Sequence, residues 1–179
     1  MRQASETQGG IRWVIMGVCG CGKSTIGQQL ADASGHAYLE GDAFHPQANV
    51  DKMSAGQPLN DDDRRDWLCA IRDQIGRARE QGRGLVVSCS ALKRSYRDLL
   101  READPDLRFV HLEGPRSLIA ERLAARRNHY MPPQLLDSQL ATLEPLGGDE
   151  QGLRLDIRQS PVQLVDAVLA DAGGATSGG

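Results

Sequence analysis

Short apolar runs alternate with amphipathic segments along almost the whole chain. Five of the runs are predicted to be buried strands, at residues 11–16, 37–40, 84–89, 107–112 and 153–157. Seven segments space their apolar residues as a helix does, at residues 22–34, 47–55, 61–81, 93–103, 115–127, 132–142 and 161–171. Because strands and helices alternate, we expect an α/β fold of three layers, in which a parallel sheet of about five strands carries helices on both faces.

The domain organisation predicted from this pattern is simple. No internal repeat or linker divides the 179 residues, so residues 11–172 are expected to form one domain. Residues 1–10 and 173–179 are rich in small and polar residues and are expected to be disordered tails. The N-terminal residues lack the apolar stretch of a signal peptide, and no apolar run approaches the roughly 20 residues that span a bilayer. These features predict a cytoplasmic protein.

The most informative motif follows the first predicted strand. Residues 17–24 read G-V-C-G-C-G-K-S, which fits the phosphate-binding loop G-x-x-x-x-G-K-[ST], and a predicted helix follows directly. Glycines let the backbone fold around phosphate oxygens with its N–H groups inward, and the positive helix end adds to the site. Lys23 is expected to reach the β- and γ-phosphates, and Ser24 to hold Mg²⁺. The residues expected to contact ATP here are Gly17, Val18, Cys19, Gly20, Cys21, Gly22, Lys23, Ser24 and Thr25.

Charge and cysteine content narrow the function further. The net charge of −3 gives no general basic field for nucleic acid. The four cysteines have the spacing of neither a zinc site nor a disulfide framework, and Cys69 and Cys89 lie in apolar surroundings typical of small core residues. Cys19 and Cys21 lie inside the phosphate loop. Either they only replace small residues there, or the electropositive loop lowers the pKa of a thiol and makes the site sensitive to oxidation.

Four segments after the phosphate loop follow the motif pattern of one kinase family. Residues 40–46, E-G-D-A-F-H-P, are similar to the family pattern G-D-x-x-H-P. Residues 56–64, G-Q-P-L-N-D-D-D-R, are similar to G-x-P-L-N-D-x-D-R, and residues 89–101 match C-S-A-L-K-x-x-Y-R-D. Together with N-V-D-K-M at residues 49–53, these segments resemble the gluconate kinase family of P-loop small-molecule kinases, and the likeness covers roughly residues 12–170. It implies a P-loop kinase fold with a mobile lid, ATP-dependent phosphorylation of D-gluconate to 6-phosphogluconate with Mg²⁺, and possible assembly as a homodimer.

Asp42 is the candidate catalytic base. It follows the second predicted strand, and the carboxyl ends of parallel strands are where open α/β sheets bind ligands. Phosphoryl transfer needs the acceptor hydroxyl in line with the γ-phosphate, and a nearby carboxylate can take its proton. No acid ends the predicted strand at 84–89, where a Walker B aspartate would be expected, so Asp42 is also expected to help hold Mg²⁺. The alternative is that Asp42 only caps a turn.

The substrate site implied by the resemblance needs cations for the carboxylate of gluconate and mixed donors for its hydroxyls. The matching segments supply six candidate substrate-binding residues, namely Asp42, His45, Lys52, Arg64, Lys93 and Arg97. Arg64 and Arg97 are favoured over Lys52 as carboxylate partners, because a guanidinium fork binds two oxygens at once. Each of these cations has the alternative of being an ordinary surface charge.

Residues 122–134 resemble the lid of small-molecule kinases. Arg126 and Arg127 are expected to close over the phosphates and stabilise the charge that develops there, whereas Arg122 is expected to face the adenine or the sheet. A basic helix end is the alternative explanation. No cysteine follows Cys89, so a lid held by a cysteine zinc site is excluded. By analogy with the fold, the turn at 158–161, with Gln159 and Pro161, is expected to line the adenine pocket.

Two other functions stay open at this stage. The first is a kinase of the same fold that acts on shikimate, a nucleoside monophosphate or adenylyl sulfate, and the segments at 40–46 and 56–64 argue against it. The second is a nucleotide-dependent switch without catalysis. A switch needs no acceptor pocket, so the set of Asp42, His45 and Arg97 argues against it.

Overall fold

The computed structural model describes residues 10–126 and 133–174. These residues form a five-stranded sheet, made of β1 (Arg12–Met16), β2 (Ala37–Glu40), β3 (Leu85–Ser88), β4 (Arg108–Glu113) and β5 (Gly152–Asp156). The strands are all parallel, in the order β2-β3-β1-β4-β5. The predicted parallel α/β fold is therefore confirmed, and the ends of each strand agree with the prediction to within one residue.

The described residues also form seven α-helices. They are α1 (Lys23–Ser34), α2 (Gln47–Ser54), α3 (Asp61–Glu80), α4 (Arg94–Arg101), α5 (Arg116–Ala124), α6 (Pro133–Thr142) and α7 (Pro161–Gly174). A short 3₁₀ helix, Gly41–Phe44, follows β2. The helix α7 includes Gly173 and Gly174, which the sequence had assigned to the tail, because the apolar face of this helix stays in the core as far as Ala172. None of the helices in the described parts of the chain is long and apolar enough to cross a membrane.

The core explains why the strands read as continuous apolar runs. Val14, Ile15 and Met16 of the central strand β1 are fully buried, because helices cover both faces of the sheet. The long helix α3 contributes Trp67 and Ile71 to the same core. The carboxyl ends of all five parallel strands lie at the same edge of the sheet. After β1 the chain continues to β2 at one end of the strand order, and after β4 it continues to β5 at the other end. The phosphate loop lies at this switch point, which is where open α/β sheets bind ligands.

Candidate active site

The phosphate loop joins β1 to α1 and depends on its glycines for both conformation and space. Gly17 and Gly20 have φ angles of 144° and 89°, which other residues rarely adopt. A Cβ on Gly17 would lie 2.7 Å from the carbonyl oxygen of Leu112, and a Cβ on Gly20 would lie 2.7 Å from Cγ of Leu123. The backbone N–H of Gly17 donates to the carbonyl of Ser90 at 3.2 Å. The loop is therefore held against two neighbouring strand ends.

Two donors of the phosphate loop are engaged by oxygens of the protein itself. The Nζ of Lys23 donates to the carbonyl oxygen of Val18 at 3.0 Å, so the lysine folds over its own loop. The backbone N–H of Cys19 donates to Oε1 of Gln139 at 2.7 Å, and Gln139 belongs to α6. The sequence analysis missed Gln139, because no local motif marks it. The amide oxygen of Gln139 accepts from the Cys19 N–H, a donor that the loop would otherwise offer to a phosphate.

The two loop cysteines have different environments. Cys21 is buried at 1% exposure, and this burial raises the pKa of its thiol although Lys23 acts in the opposite direction. For Cys21 the structure therefore favours the alternative that the cysteine only replaces a small residue in the loop. Cys19 is partly exposed and lines the pocket described below. Cys89 is a core residue as predicted, and burial raises its pKa to about 12.

A charged carboxylate lies beside the hydroxyl of Ser24. The Oε2 of Glu40, at the end of β2, accepts hydrogen bonds from Ser24 Oγ and from the Tyr38 hydroxyl, both at 2.6 Å. Its Oε1 accepts from Ser88 Oγ at 2.9 Å, because β2 and β3 pair with Glu40 opposite Ser88. Burial alone would raise the pKa of Glu40, but these hydrogen bonds outweigh it and hold the pKa below its usual value. The sequence analysis missed Glu40, which supplies the acid that the end of β3 lacks.

Asp42 lies two residues after Glu40, at the second position of the 3₁₀ helix that follows β2. This helix lies close to β3, because a Cβ on Gly41 would be only 2.1 Å from the carbonyl oxygen of Ser88. Asp42 lines the same pocket as Lys23, as the sequence analysis expected for a catalytic carboxylate. The pocket thus begins at the phosphate loop and has an acid at that end.

The pocket runs from the phosphate loop toward the first turn of α3. Side chains of the 3₁₀ helix, α3, α6 and the loop after β3 line it. Its charged and polar members besides Cys19 and Ser90 are Lys23, Asp42, His45, Arg64, Ser138 and Gln139. The apolar wall includes Trp67 and Leu92. The lining therefore combines one acid and two cations with neutral hydrogen-bonding groups and an apolar wall, a mixture that suits a small polar anion.

Arg64 presents its guanidinium to this pocket from the first turn of α3. The start of α3 is fixed by a capping box between Asn60 and Asp63. The Nη1 of Arg64 donates to the Tyr96 hydroxyl at 2.9 Å, and that hydroxyl donates to Asp61. Within the described residues the other guanidinium donors of Arg64 have no hydrogen-bond partner, so they can bind a carboxylate in the pocket.

His45 is held against Trp67 at the pocket wall. The two rings stack at a centroid distance of 4.1 Å with an interplanar angle of 16°, and Trp67 Nε1 donates to the carbonyl of Gly41 at 2.8 Å. Burial lowers the pKa of His45, as does the charge of Arg64, while Asp42 acts in the opposite direction. The imidazole is therefore neutral near neutral pH.

Two predicted substrate cations are neutralised outside the pocket. The Nζ of Lys52 lies 2.9 Å from both carboxylate oxygens of Asp63, and the Nζ of Lys93 lies 3.0 Å from Oδ1 of Asp61. Neither lysine lines the pocket that contains Asp42 and Lys23. The acids of the first α3 turn pair with both lysines in this structure, and direct binding of the substrate by Lys52 or Lys93 stays a prediction.

The prediction that Arg97 binds the substrate carboxylate is wrong. Its side chain is fully buried, and Glu150 accepts from Nε at 2.8 Å and from Nη2 at 3.0 Å. The remaining N–H groups donate to the carbonyls of Ala91, Leu92 and Pro145 at 2.9, 3.4 and 3.5 Å. All five donors are thus used inside the protein. Arg97 holds the loop after β3, where Ala91 has a left-handed φ of 45°.

The predicted lid is described only in part. Arg126 is exposed and is the last residue before the gap, whereas Arg127 lies outside the described residues. The Nη2 of Arg122 donates to the carbonyl of Ile157 at 2.8 Å, which ties α5 to the loop after β5. In that loop, the Gln159 N–H donates to the carbonyl of Asp156 at 3.1 Å, and Pro161 begins α7. The adenine contacts and the closing of the lid stay predictions.

The oxygen atoms around Ser24 fit a hard cation. No group of three His, Cys, Asp or Glu side chains in residues 10–126 and 133–174 could hold a metal alone. Mg²⁺ keeps several waters and binds proteins through one or two carboxylates plus substrate phosphates, so such a cluster is not required. Ser24 donates its hydroxyl hydrogen to Glu40, which leaves the Oγ lone pairs available. The donor set is therefore compatible with Mg²⁺ beside a bound nucleotide.

Comparison with known proteins gives consistent results at the levels of domain and sequence. A family model described as an AAA domain matches residues 13–146. A gluconokinase from Gluconobacter oxydans is 46% identical over 167 residues, which cover 92% of this chain and 94% of that protein.

Two crystal structures are similar to this chain in both sequence and fold. A gluconokinase from Sinorhizobium meliloti is 47% identical with a TM-score of 0.82, and the match covers 91% of each chain. An unliganded sugar kinase from Janibacter is 45% identical with a TM-score of 0.86, over 90% of this chain and 93% of the other. The similarity therefore extends over nearly the whole length of each protein.

Proposed function

Because the chain belongs to the gluconokinase family, we propose that it transfers the γ-phosphoryl group of ATP to D-gluconate and releases ADP and 6-phospho-D-gluconate. The observation that supports this most is the pocket in which Asp42 and Arg64 lie together with Lys23 of the phosphate loop. An acid beside the phosphate loop and a guanidinium deeper in the pocket match the two ends of gluconate, the hydroxyl that reacts and the carboxylate that is held.

The proposed reaction assigns one task to each residue at the phosphate loop. ATP replaces the Gln139 oxygen on the Cys19 N–H, and Lys23 leaves Val18 to bind the β- and γ-phosphates. Ser24 and Asp42, with Glu40 behind Ser24, would hold Mg²⁺, which would supply positive charge to neutralise the phosphate oxygens. Asp42 takes the proton of the acceptor hydroxyl while the hydroxyl oxygen forms a bond to the γ-phosphorus. At the same time the bond between the γ-phosphorus and the β–γ bridging oxygen breaks. These steps yield ADP and the phosphate ester.

The acceptor is proposed to lie with its carboxylate on Arg64 and its reacting hydroxyl beside Asp42. A guanidinium binds a carboxylate with two parallel hydrogen bonds, and Arg64 retains donors for that purpose. His45 is proposed to donate to one of the hydroxyls. The apolar wall that includes Trp67 and Leu92 excludes water from the reacting end.

The remaining assignments concern the lid, the adenine and the state of the protein in the cell. Arg126 and Arg127 are proposed to close over the phosphates and stabilise charge during transfer, and Arg122, Gln159 and Pro161 to border the adenine. We further propose a cytoplasmic homodimer, which sedimentation of the purified protein tests.

The test is ADP release by the purified protein with ATP, Mg²⁺ and one acceptor at a time. Gluconate should give fast turnover, whereas shikimate, a nucleoside monophosphate, adenylyl sulfate and no acceptor should give only background release. Lys23→Ala serves as the control for contaminating kinases, because it removes the cation that binds the phosphates. Turnover with a nucleotide or shikimate and none with gluconate would contradict the proposal.

A further inference from the structure

Asn49, which matches no catalytic motif, is a buried polar side chain beside the acceptor pocket. It lies in the first turn of α2 and is only 4% exposed. Its Nδ2 donates to the backbone carbonyl of Asp63 at 2.7 Å and lies 3.2 Å from Nδ1 of His45. One amide nitrogen therefore joins the first turn of α3 to the imidazole that lines the pocket.

The carbonyl of Asp63 fixes the orientation of the Asn49 amide. A carbonyl oxygen can only accept, so the atom 2.7 Å away must be the NH₂ group and not the amide oxygen. The second hydrogen of that NH₂ group then points to Nδ1 of His45, which must accept it. A neutral imidazole that accepts at Nδ1 carries its hydrogen on Nε2. The backbone of Asp63 thus selects the tautomer of His45 through Asn49.

The plane of the ring is fixed independently of its tautomer. Trp67 stacks on it at 4.1 Å, and Trp67 is itself held by the carbonyl of Gly41 at 2.8 Å. Nε2 has no hydrogen-bond partner within the described residues, and His45 lines the pocket. With its face on Trp67 and its Nδ1 edge on Asn49, the ring offers the pocket one N–H donor.

We infer that Asn49 is a positioning residue that holds His45 as a neutral Nε2–H donor to an acceptor hydroxyl. A neutral donor is matched to a hydroxyl, which leaves Arg64 as the group that attracts the carboxylate. This arrangement sets the direction in which gluconate lies, with a hydroxyl next to Asp42 and its acid group away from it. The identity of the ligand rests on the proposed function, whereas the tautomer of His45 does not.

The first test is heteronuclear NMR of the nitrogen-labelled imidazoles in the full-length protein without substrate. His45→Gln identifies the His45 signals by their loss. The wild-type protein should show His45 neutral with the proton on Nε2 through neutral pH. Asn49→Asp places an acceptor at Nδ1, so the proton should move to Nδ1 and the ring should charge at a higher pH. Asn49→Leu, which removes the partner without adding charge, should give a mixture of both tautomers.

The second test is steady-state kinetics of the same variants. Loss of one oriented hydrogen bond should raise the KM for gluconate in Asn49→Leu by roughly two- to tenfold while the KM for ATP stays unchanged. Gln47→Ala is the matched control on α2, because its exposed side chain bonds to Asp51 and, among the described residues, to no part of the pocket, so it should alter neither the NMR signals nor KM.

Two outcomes would overturn the inference. They are a wild-type His45 with its proton on Nδ1, and Asn49 variants that keep both the wild-type tautomer and the wild-type gluconate KM. A protein that shows the expected tautomers but does not phosphorylate gluconate would contradict the proposed function instead, and the assignment of Asn49 to His45 would stand.

Discussion

The two halves of the candidate site are constructed in different ways. The phosphate loop is a stretch of consecutive residues between β1 and α1, and its working groups are mainly backbone N–H groups and the end of a helix. The acceptor pocket is assembled from side chains of the 3₁₀ helix, α3, α6 and the loop after β3. Partners that are distant in the chain orient two of those side chains, since Arg64 donates to Tyr96 and His45 stacks on Trp67.

This difference determines which amino-acid substitutions each half of the site can accept. Backbone donors depend on the path of the chain, so the side chains at Cys19 and Cys21 can vary as long as the glycines keep their conformation. A side chain that binds substrate depends on its own chemistry and on its supporting partners. Substitutions in the acceptor half should therefore have larger and more specific effects than conservative ones in the phosphate loop.

The largest expected effect is that of Asp42→Asn. The amide keeps the shape of the side chain but cannot take a proton, so kcat should fall roughly 100- to 10,000-fold with little change in the gluconate KM. Steady-state kinetics with both substrates varied measures this. Asp51→Asn, an exposed acid on α2, is the control and should behave as the wild type. A normal kcat in Asp42→Asn would remove Asp42 from the chemistry.

Glu150→Gln should have the next largest effect, and it should act on stability. The substitution leaves the guanidinium of Arg97 buried without its counter-charge, which costs about 3–5 kcal/mol. Asp149→Asn is the matched control, because its carboxylate is 67% exposed and its pair with Arg94 is screened by solvent, so its loss should change stability little. Urea unfolding of the two variants measures the difference. Equal losses would show that the buried pair does not support the loop after β3.

The same pair predicts how stability depends on acid. Burial acts to raise the pKa of Glu150, but hydrogen bonds from Arg97, Gly147 and Arg101 outweigh it and lower the pKa to about 2. A carboxyl with a lowered pKa stabilises the fold fully above its usual pKa, and this stabilisation is lost as the pH falls toward about 2. Unfolding measured down this range should show a smaller acid-dependent loss in Glu150→Gln than in the wild type.

The smallest expected effect concerns Cys19. Backbone groups cradle the phosphates, so Cys19→Ser should change the ATP KM by no more than about twofold. In the wild-type protein a bulky alkylating reagent should modify partly exposed Cys19 faster than buried Cys21, and ATP should slow the reaction at Cys19. Peptide mass mapping after timed alkylation gives both rates. Fast modification of Cys21, or no protection by ATP, would contradict the position assigned to the loop.

The phosphate loop could be predicted from the sequence more fully than the acceptor pocket, because the loop is a local segment and the pocket is assembled from distant ones. Strand and helix periodicity and the glycine pattern are local signals, so the five strands, the seven helices and the phosphate loop were all predicted. The direction and partner of an arginine are not local. Arg97 carries the motif of a substrate residue, yet its donors are used by Glu150 and by carbonyls of the loop after β3. Glu40 and Gln139 were missed because only strand pairing and helix packing bring them to the loop.

The division into two independent halves is tested most directly by calorimetric titration of two variants with each ligand separately. Arg64→Ala should weaken gluconate binding about ten- to over a hundredfold, the loss of a hydrogen bond to a charged group, and should leave a non-hydrolysable ATP analogue bound normally. Lys23→Ala should weaken the ATP analogue and leave gluconate unaffected. If Arg64→Ala weakened both ligands equally, or weakened only the ATP analogue, the acceptor pocket would not be where we place it.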